Sequence, residues 1–220
     1  MKKIILYLAS TCLFVGSALA DTTYLGIKLG VGTLDADGTN TTNSASGGSG
    51  GAALNSSGSM DLPIASIFVE REVELSNLNM AFGIDLMPMS ASTKLDGGTG
   101  TDADVEVGNQ LTAYIQPSKT LANDTAVFVK LGYSRADVDV SSIRRQGTTA
   151  GTASTDTGAS ESLEGPMIGL GYQKSQEASF VRLEVTYTDY DSISYTNSNS
   201  KVLTADAELT AINLSFGKKF

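Results

Sequence analysis

The chain holds no histidine and no tryptophan, and of its 220 residues one is cysteine and four are proline. Without imidazole there is no Ser-His pair and no histidine acid or base for acyl or peptide chemistry. The lone Cys12 falls in the first 20 residues, so residues 21–220 carry no thiolate, no disulfide and no Cys/His zinc site. Beyond Val15 no apolar run is long enough for a transmembrane helix. Basic residues are scarce. With Lys2 and Lys3 set aside, 13 basic residues face 24 acidic ones, a net charge of −11. That is the wrong sign for a nucleic-acid partner, whose phosphates require clustered Lys and Arg. Large aliphatic and aromatic residues are too sparse for a tightly packed core of this size.

What is present begins with a leader. Lys2 and Lys3 precede an apolar run over 4–15, and Ala18-Leu19-Ala20 is a small-x-small cleavage site. Residues 1–20 therefore read as a secretory signal peptide, and 21–220 as the mature domain. Ala9-Ser10-Thr11 before Cys12 lacks the residues that lipoprotein processing prefers.

The mature chain alternates with period two, the mark of strands whose faces meet different environments. Eight strands are expected: 24–32, 62–73, 79–87, 104–116, 126–135, 165–173, 180–188 and a last one ending at Phe220. In the first, Leu25, Ile27, Leu29 and Val31 oppose Tyr24, Gly26, Lys28, Gly30 and Gly32. In the second, Ala65, Ile67 and Val69 oppose Ser66, Phe68 and Glu70, although Ile64 and Phe68 could form the apolar set instead. In the fourth, Val105, Val107, Leu111, Ala113 and Ile115 oppose Glu106, Gly108, Gln110, Thr112 and Tyr114. In the last, Ile212, Leu214, Phe216 and Phe220 share a face.

The connections sort by parity. Those after strands one, three, five and seven (33–61, 88–103, 136–164 and 189–203) are long and polar. Those after two, four and six (74–78, 117–125 and 174–179) are short. A transmembrane barrel has this asymmetry, with short periplasmic turns and long outer loops. The alternative is a secreted lectin-like or adhesin sandwich with similar patterning. The 33–61 stretch, nearly all Gly, Ser, Thr, Asn, Ala and Asp, is expected to bury too little apolar surface to fold alone.

Four segments carry a resemblance: VKLGYSRADVDV (129–140), GPMIGLGYQKS (165–175), VRLEVTYTDYD (181–191) and the terminal LSFGKKF. In this order they resemble the small eight-stranded outer-membrane proteins, that is, the OmpA-type transmembrane domains and opacity-porin-like barrels. The resemblance implies an all-β, eight-stranded antiparallel up-and-down transmembrane β-barrel, integral to the outer membrane of a Gram-negative cell, with both termini periplasmic. It implies contact with outer-membrane lipids and lipopolysaccharide. It also implies recognition by the barrel-assembly machinery through a C-terminal strand signal that includes Phe216 and Phe220. The peptidoglycan-binding domain of longer OmpA proteins is expected to be absent. With no Trp, the interfacial girdle falls to Tyr133 and Tyr187 at the outer rim, with Tyr172, Phe216 and Phe220 toward the periplasm.

In such a barrel the apolar face turns to lipid and the polar face fills the lumen. The expected lumen set is Lys28, Glu70, Asp85, Glu106, Gln110, Tyr114, Lys130, Arg182, Glu184 and Asn213. Glu106 and Glu70 are the members nearest a solvated rim. Among them Lys28, Asp85, Lys130, Arg182 and Glu184 are expected to pair as a charge network that plugs the barrel, because an unpaired buried charge is costly. Lys28, Lys130 and Glu184 fall at mid-barrel, and Arg182 one pleat lower.

No cofactor motif is present, and no enzyme chemistry is expected. Asp35 with Asp37 and Asp102 with Asp104 are carboxylate pairs in expected loops. Asp35-Ala36-Asp37-Gly38 fails the EF-hand register, since no acidic residue follows at its closing position. Arg144-Arg145 reads as exposed loop charge or as a contact for lipopolysaccharide phosphate. The expected role is structural or surface-interacting through long outer loops, the alternative a narrow porin-like channel. The outer partner is not named by any residue pattern.

Overall fold

Alternation with period two, carried by β-branched and aromatic residues, puts nearly every residue of the mature chain into paired strands. In the computed structural model the described residues are 21–42, 54–88, 90–96, 101–145, 155–196 and 201–220. The expected signal peptide 1–20 and the connection tips 43–53, 97–100, 146–154 and 197–200 lie outside them. Among the described residues there are nine strands: β1 Asp21–Thr42, β2 Leu54–Leu75, β3 Leu78–Met87, β4 Ala91–Asp96, β5 Thr101–Thr120, β6 Thr125–Arg145, β7 Thr155–Ser175, β8 Ser179–Thr196 and β9 Lys201–Lys219. All pairings are antiparallel between chain neighbours, β1 also pairs with β9, and β3 with β5. The sheet is therefore a closed up-and-down barrel of eight staves, with β3 and β4 together forming the third. The expected fold class is borne out.

Closure holds to the last residue. The Phe220 backbone exchanges both its hydrogen bonds with Thr23, at 2.9 and 3.0 Å. The three short turns are compact. Asn123 and Asp124 take the left-handed conformation that their short side chains tolerate.

Around the short-turn half of the barrel, apolar side chains face outward: Leu25, Ile27, Leu29 and Val31 on β1, Ile168 and Leu170 on β7, Leu183 and Val185 on β8, Ile212 and Leu214 on β9. Tyr133, Tyr172, Tyr187, Phe216 and Phe220 are also outward and exposed. In the same half Lys28, Glu70, Lys130, Arg182 and Glu184 point inward and are buried. Aromatic rings fit inside because glycine stands directly across the ladder: Phe68 opposite Gly26, Tyr114 opposite Gly83, Phe128 opposite Gly171. A Cβ on Gly83 would lie 2.4 Å from the Tyr114 ring.

The long connections differ from expectation. Stretches read as polar loops within 33–61, 88–103, 136–164 and 189–203 are largely strand, so most strands run to 18–22 residues. These stretches alternate too, with reversed polarity. On β1, Asp35 and Asp37 turn outward while Leu34 turns in. On β9, Asp206 and Glu208 turn outward while Ala207 and Leu209 turn in. The 33–61 stretch does not fold alone. It pairs with β9 and contributes Leu34 and Met60 to a shared apolar core. Asp35 and Asp37 lie on this paired strand, opposite Ser59 and Ser57, and not in a loop.

This long-connection half is built differently from the short-turn half below it. The β2–β3 ladder stops at Ile67–Leu86 and the β7–β8 ladder at Met167–Thr188. Continued in register, the next partners would include Pro88 on one side and Pro166 on the other, and neither has an N–H to give. Above these two forks the wall separates into a β2-β1-β9-β8 sheet and a β4-β5-β6-β7 sheet. They pack face to face over Leu34, Leu62, Tyr190 and Leu209 from one sheet and Val107, Val138 and Leu163 from the other. A barrel below thus becomes a two-sheet sandwich above.

One expected phase is corrected. Between Gly108–Asp137 and Leu111–Arg135 the β5–β6 ladder sets two residues against one, and Asn109 takes φ 50°. This is a β-bulge, and it puts the residues before it on the opposite phase from those after it. Val107 is consequently buried, and Glu106, expected in the lumen, is exposed.

Candidate functional site

The lower lumen is narrow enough for side chains to fill it, and its charged side chains come from β1, β2, β3, β6 and β8. Lys28 Nζ contacts the Asp85 carboxylate and lies 2.9 Å from Glu184 Oε1. Lys130 Nζ lies 2.5 Å from the other Glu184 oxygen. Four of the five expected network residues therefore form one chain, Asp85–Lys28–Glu184–Lys130.

Arg182, the fifth, makes its ion pair elsewhere. Its two terminal nitrogens donate to the two oxygens of Glu70 at 2.7 and 2.6 Å. Its Nε and one terminal nitrogen donate to Gln173 Oε1 at 3.0 and 2.7 Å. The rings of Phe68, Phe128 and Phe180 surround the guanidinium at 5.1–5.4 Å, within cation–π range. Tyr114 completes Glu70 by donating at 2.7 Å, and the Lys130 ammonium stands 4.3 Å above the Tyr114 ring. Glu70 is not at a solvated rim but fully buried. Sequence reasoning placed it in the lumen without its partner. Glu70 shares its phase on β2 with Glu72 and Glu74, so no local pattern singled it out as the partner of Arg182.

Three cations thus meet three carboxylates, in two layers. Above them is a chamber of about 40 Å³ with Lys28, Asp85, Lys130, Ser66 and Asn213 in its walls. Ser66 Oγ and Asn213 Oδ1 are buried without a protein partner. A polar space of this size holds about three waters. Ile64, Met87 and Ala211 form an apolar cluster at its upper end, and the core of the two-sheet half lies beyond. Ion pairs and apolar packing thus occupy the lumen at two successive levels.

The expected lumen members Tyr114 and Asn213 are buried inside, and Gln110 reaches Ser134 and Tyr190 at 2.8 and 2.9 Å. Among the described residues no group of carboxylates is arranged to hold a metal.

Known structures share this architecture. The outer-membrane protein OprG of Pseudomonas aeruginosa superposes with a TM-score of 0.56 over 92% of this chain and 97% of its own, at 14% identity. This is the fold of the small outer-membrane β-barrels. Ail, the attachment invasion locus protein of Yersinia pestis, superposes with a TM-score of 0.46 at 11% identity, over 91% of this chain and 99% of Ail. The outer-membrane protease OmpT of Escherichia coli gives 0.45 at 10% identity, over 88% of this chain and 96% of OmpT. No described sequence family and no curated protein matches the chain.

Proposed function

We propose that this protein is a closed, integral barrel of the outer membrane whose projecting outer half meets lipopolysaccharide and the surroundings of the cell. The observation that carries this reading is the reversal of polarity along single strands. On β1 and β9 the outward face is apolar for one half and acidic for the other, while the inward face changes the opposite way. The first pattern suits hydrocarbon and the second suits water.

Charge follows the same division. The lower lumen is balanced at three against three. The short-turn end is also close to balance, with Arg71, Lys119, Lys174, Lys218 and Lys219 against Asp21, Glu72, Glu74, Asp124 and Glu177. The excess negative charge of the mature chain therefore belongs to the outer half. The short turns and both termini are assigned to the periplasm, and the paired C-terminal strand with Phe216 and Phe220 to recognition by the assembly machinery.

Two levels of closure support a structural or surface-interacting role over a narrow pore. The absence of histidine argues against acid–base chemistry of the usual kind.

Because residues 21–220 contain no cysteine, single introduced thiols report topology without background. In intact cells a membrane-impermeant maleimide should label Asp37→Cys and Asp191→Cys in the outer half, and leave Glu177→Cys in a short turn unlabelled until the outer membrane is breached. Labelling of Glu177→Cys alone would invert the orientation.

A further inference from the structure

The wall of the barrel has a defect at the short-turn end. Between the paired residues Ile115–Leu131 and Ser118–Phe128 the β5–β6 ladder lapses for two positions without a change of register. One of the residues in the gap is Pro117, which has no N–H to donate. At this gap a groove of about 450 Å³ opens on the outer face and reaches in to Phe128 and Gly171. Its walls are Leu78, Val127, Val129 and Leu170, all exposed on the face assigned to hydrocarbon. One charged group borders this apolar slot. Ser118 beside it turns its side chain inward, on the phase of its partner Phe128. Lys119, exposed at the barrel end, is the only charged side chain in the lining.

We infer that this groove is a binding site for one glycerophospholipid. An acyl chain fills the slot and the Lys119 ammonium, at its end, pairs with the phosphate. The arrangement matches the order of such a molecule from tail to headgroup. An ammonium at the membrane boundary gains by meeting an anion there. The inference rests on the membrane-spanning orientation above, which sets this end in the phospholipid leaflet and away from lipopolysaccharide.

The test is native mass spectrometry of the mature protein refolded in detergent with palmitoyl-oleoyl phosphatidylglycerol, or with lipopolysaccharide in a parallel sample. Folding is confirmed first for each variant by its heat-modifiable gel mobility. A wild-type protein that fails that check contradicts the barrel reading itself and not this site. The folded wild type should keep one phosphatidylglycerol under activation that strips detergent. Val129→Trp, which fills the slot, and Lys119→Glu should each lower retention about tenfold, equivalent to about 1.4 kcal/mol. Lys218→Glu, elsewhere on the same rim, should leave it unchanged. If Val129→Trp does not fold, Leu170→Trp on the facing wall takes its place. No retained phospholipid, equal retention by the slot-filled variant, or preferential retention of lipopolysaccharide would each overturn the site.

Discussion

Arg182 on β8 and Glu70 on β2 meet across the lumen as a two-pronged ion pair, although β9 and β1 stand between their strands in the wall. Such a contact ties together parts of the barrel that share no backbone hydrogen bonds. Glu70→Ala leaves the guanidinium buried with only Gln173 and three aromatic rings. A loss of about 3–5 kcal/mol is expected from urea unfolding in micelles. Replacing both partners, as Glu70→Leu with Arg182→Met, should cost less than that single change, because no buried charge is then left alone. A double variant less stable than Glu70→Ala would refute this view of the pair.

Glu184 holds two ammonium groups, one on each carboxylate oxygen. Glu184→Ala therefore strands Lys130 and leaves Lys28 with Asp85 alone, and should also lose about 3–5 kcal/mol. Glu161→Ala, on the exposed face of the outer half, should stay within about 0.5 kcal/mol of the wild type. Equal effects at the two positions would show that the lumen charges are solvated.

Gly83 lies under the Tyr114 ring, and its replacement by alanine puts a methyl 2.4 Å from that ring. The ring is held by its bond to Glu70, so it cannot move aside freely. Gly83→Ala should destabilise by about 1–3 kcal/mol. Gly169→Ala meets nothing nearer than 3.0 Å, and its cost should be smaller in the same unfolding assay.

Much of this arrangement was legible in the sequence, for one physical reason. A strand shows its two environments by strict alternation, so the lipid face and the inward phase of Lys28, Lys130, Arg182 and Glu184 could be read directly. What was not legible depends on contacts between distant strands. The bond from Arg182 to Glu70, and the depth at which Asp85 meets Lys28, follow from stagger around the closed wall. The bulge at Asn109 reversed the phase of Val107 and Glu106. Gly108-Asn109 was its only local sign, a pair that favours irregular backbone. The outer half was missed because Thr, Ser and Asp between Leu, Val and Ala were read as loop composition. Their alternation continues with the polarity turned over. The prolines at 88 and 166 mark the two forks, and Pro117 the gap in the wall.

Two closures in series predict a non-additive response. Glu184→Gln disturbs the lower layer but leaves the apolar core above it intact, so this variant alone should remain closed in planar bilayers. Leu34→Ser with Leu209→Ser admits water to the upper core and should also remain closed, held by the ion pairs below. Only the combined protein should show resolvable current steps. Opening by either change alone would mean that one closure carries the whole seal.

The central claim is that the unmutated barrel is closed and works through its outer surface. The most direct measurement is single-channel recording of the folded wild-type protein in a planar lipid bilayer. The account predicts no steady conductance above the bare membrane. Large, stable, porin-like steps from the wild type would contradict it and make the protein a pore.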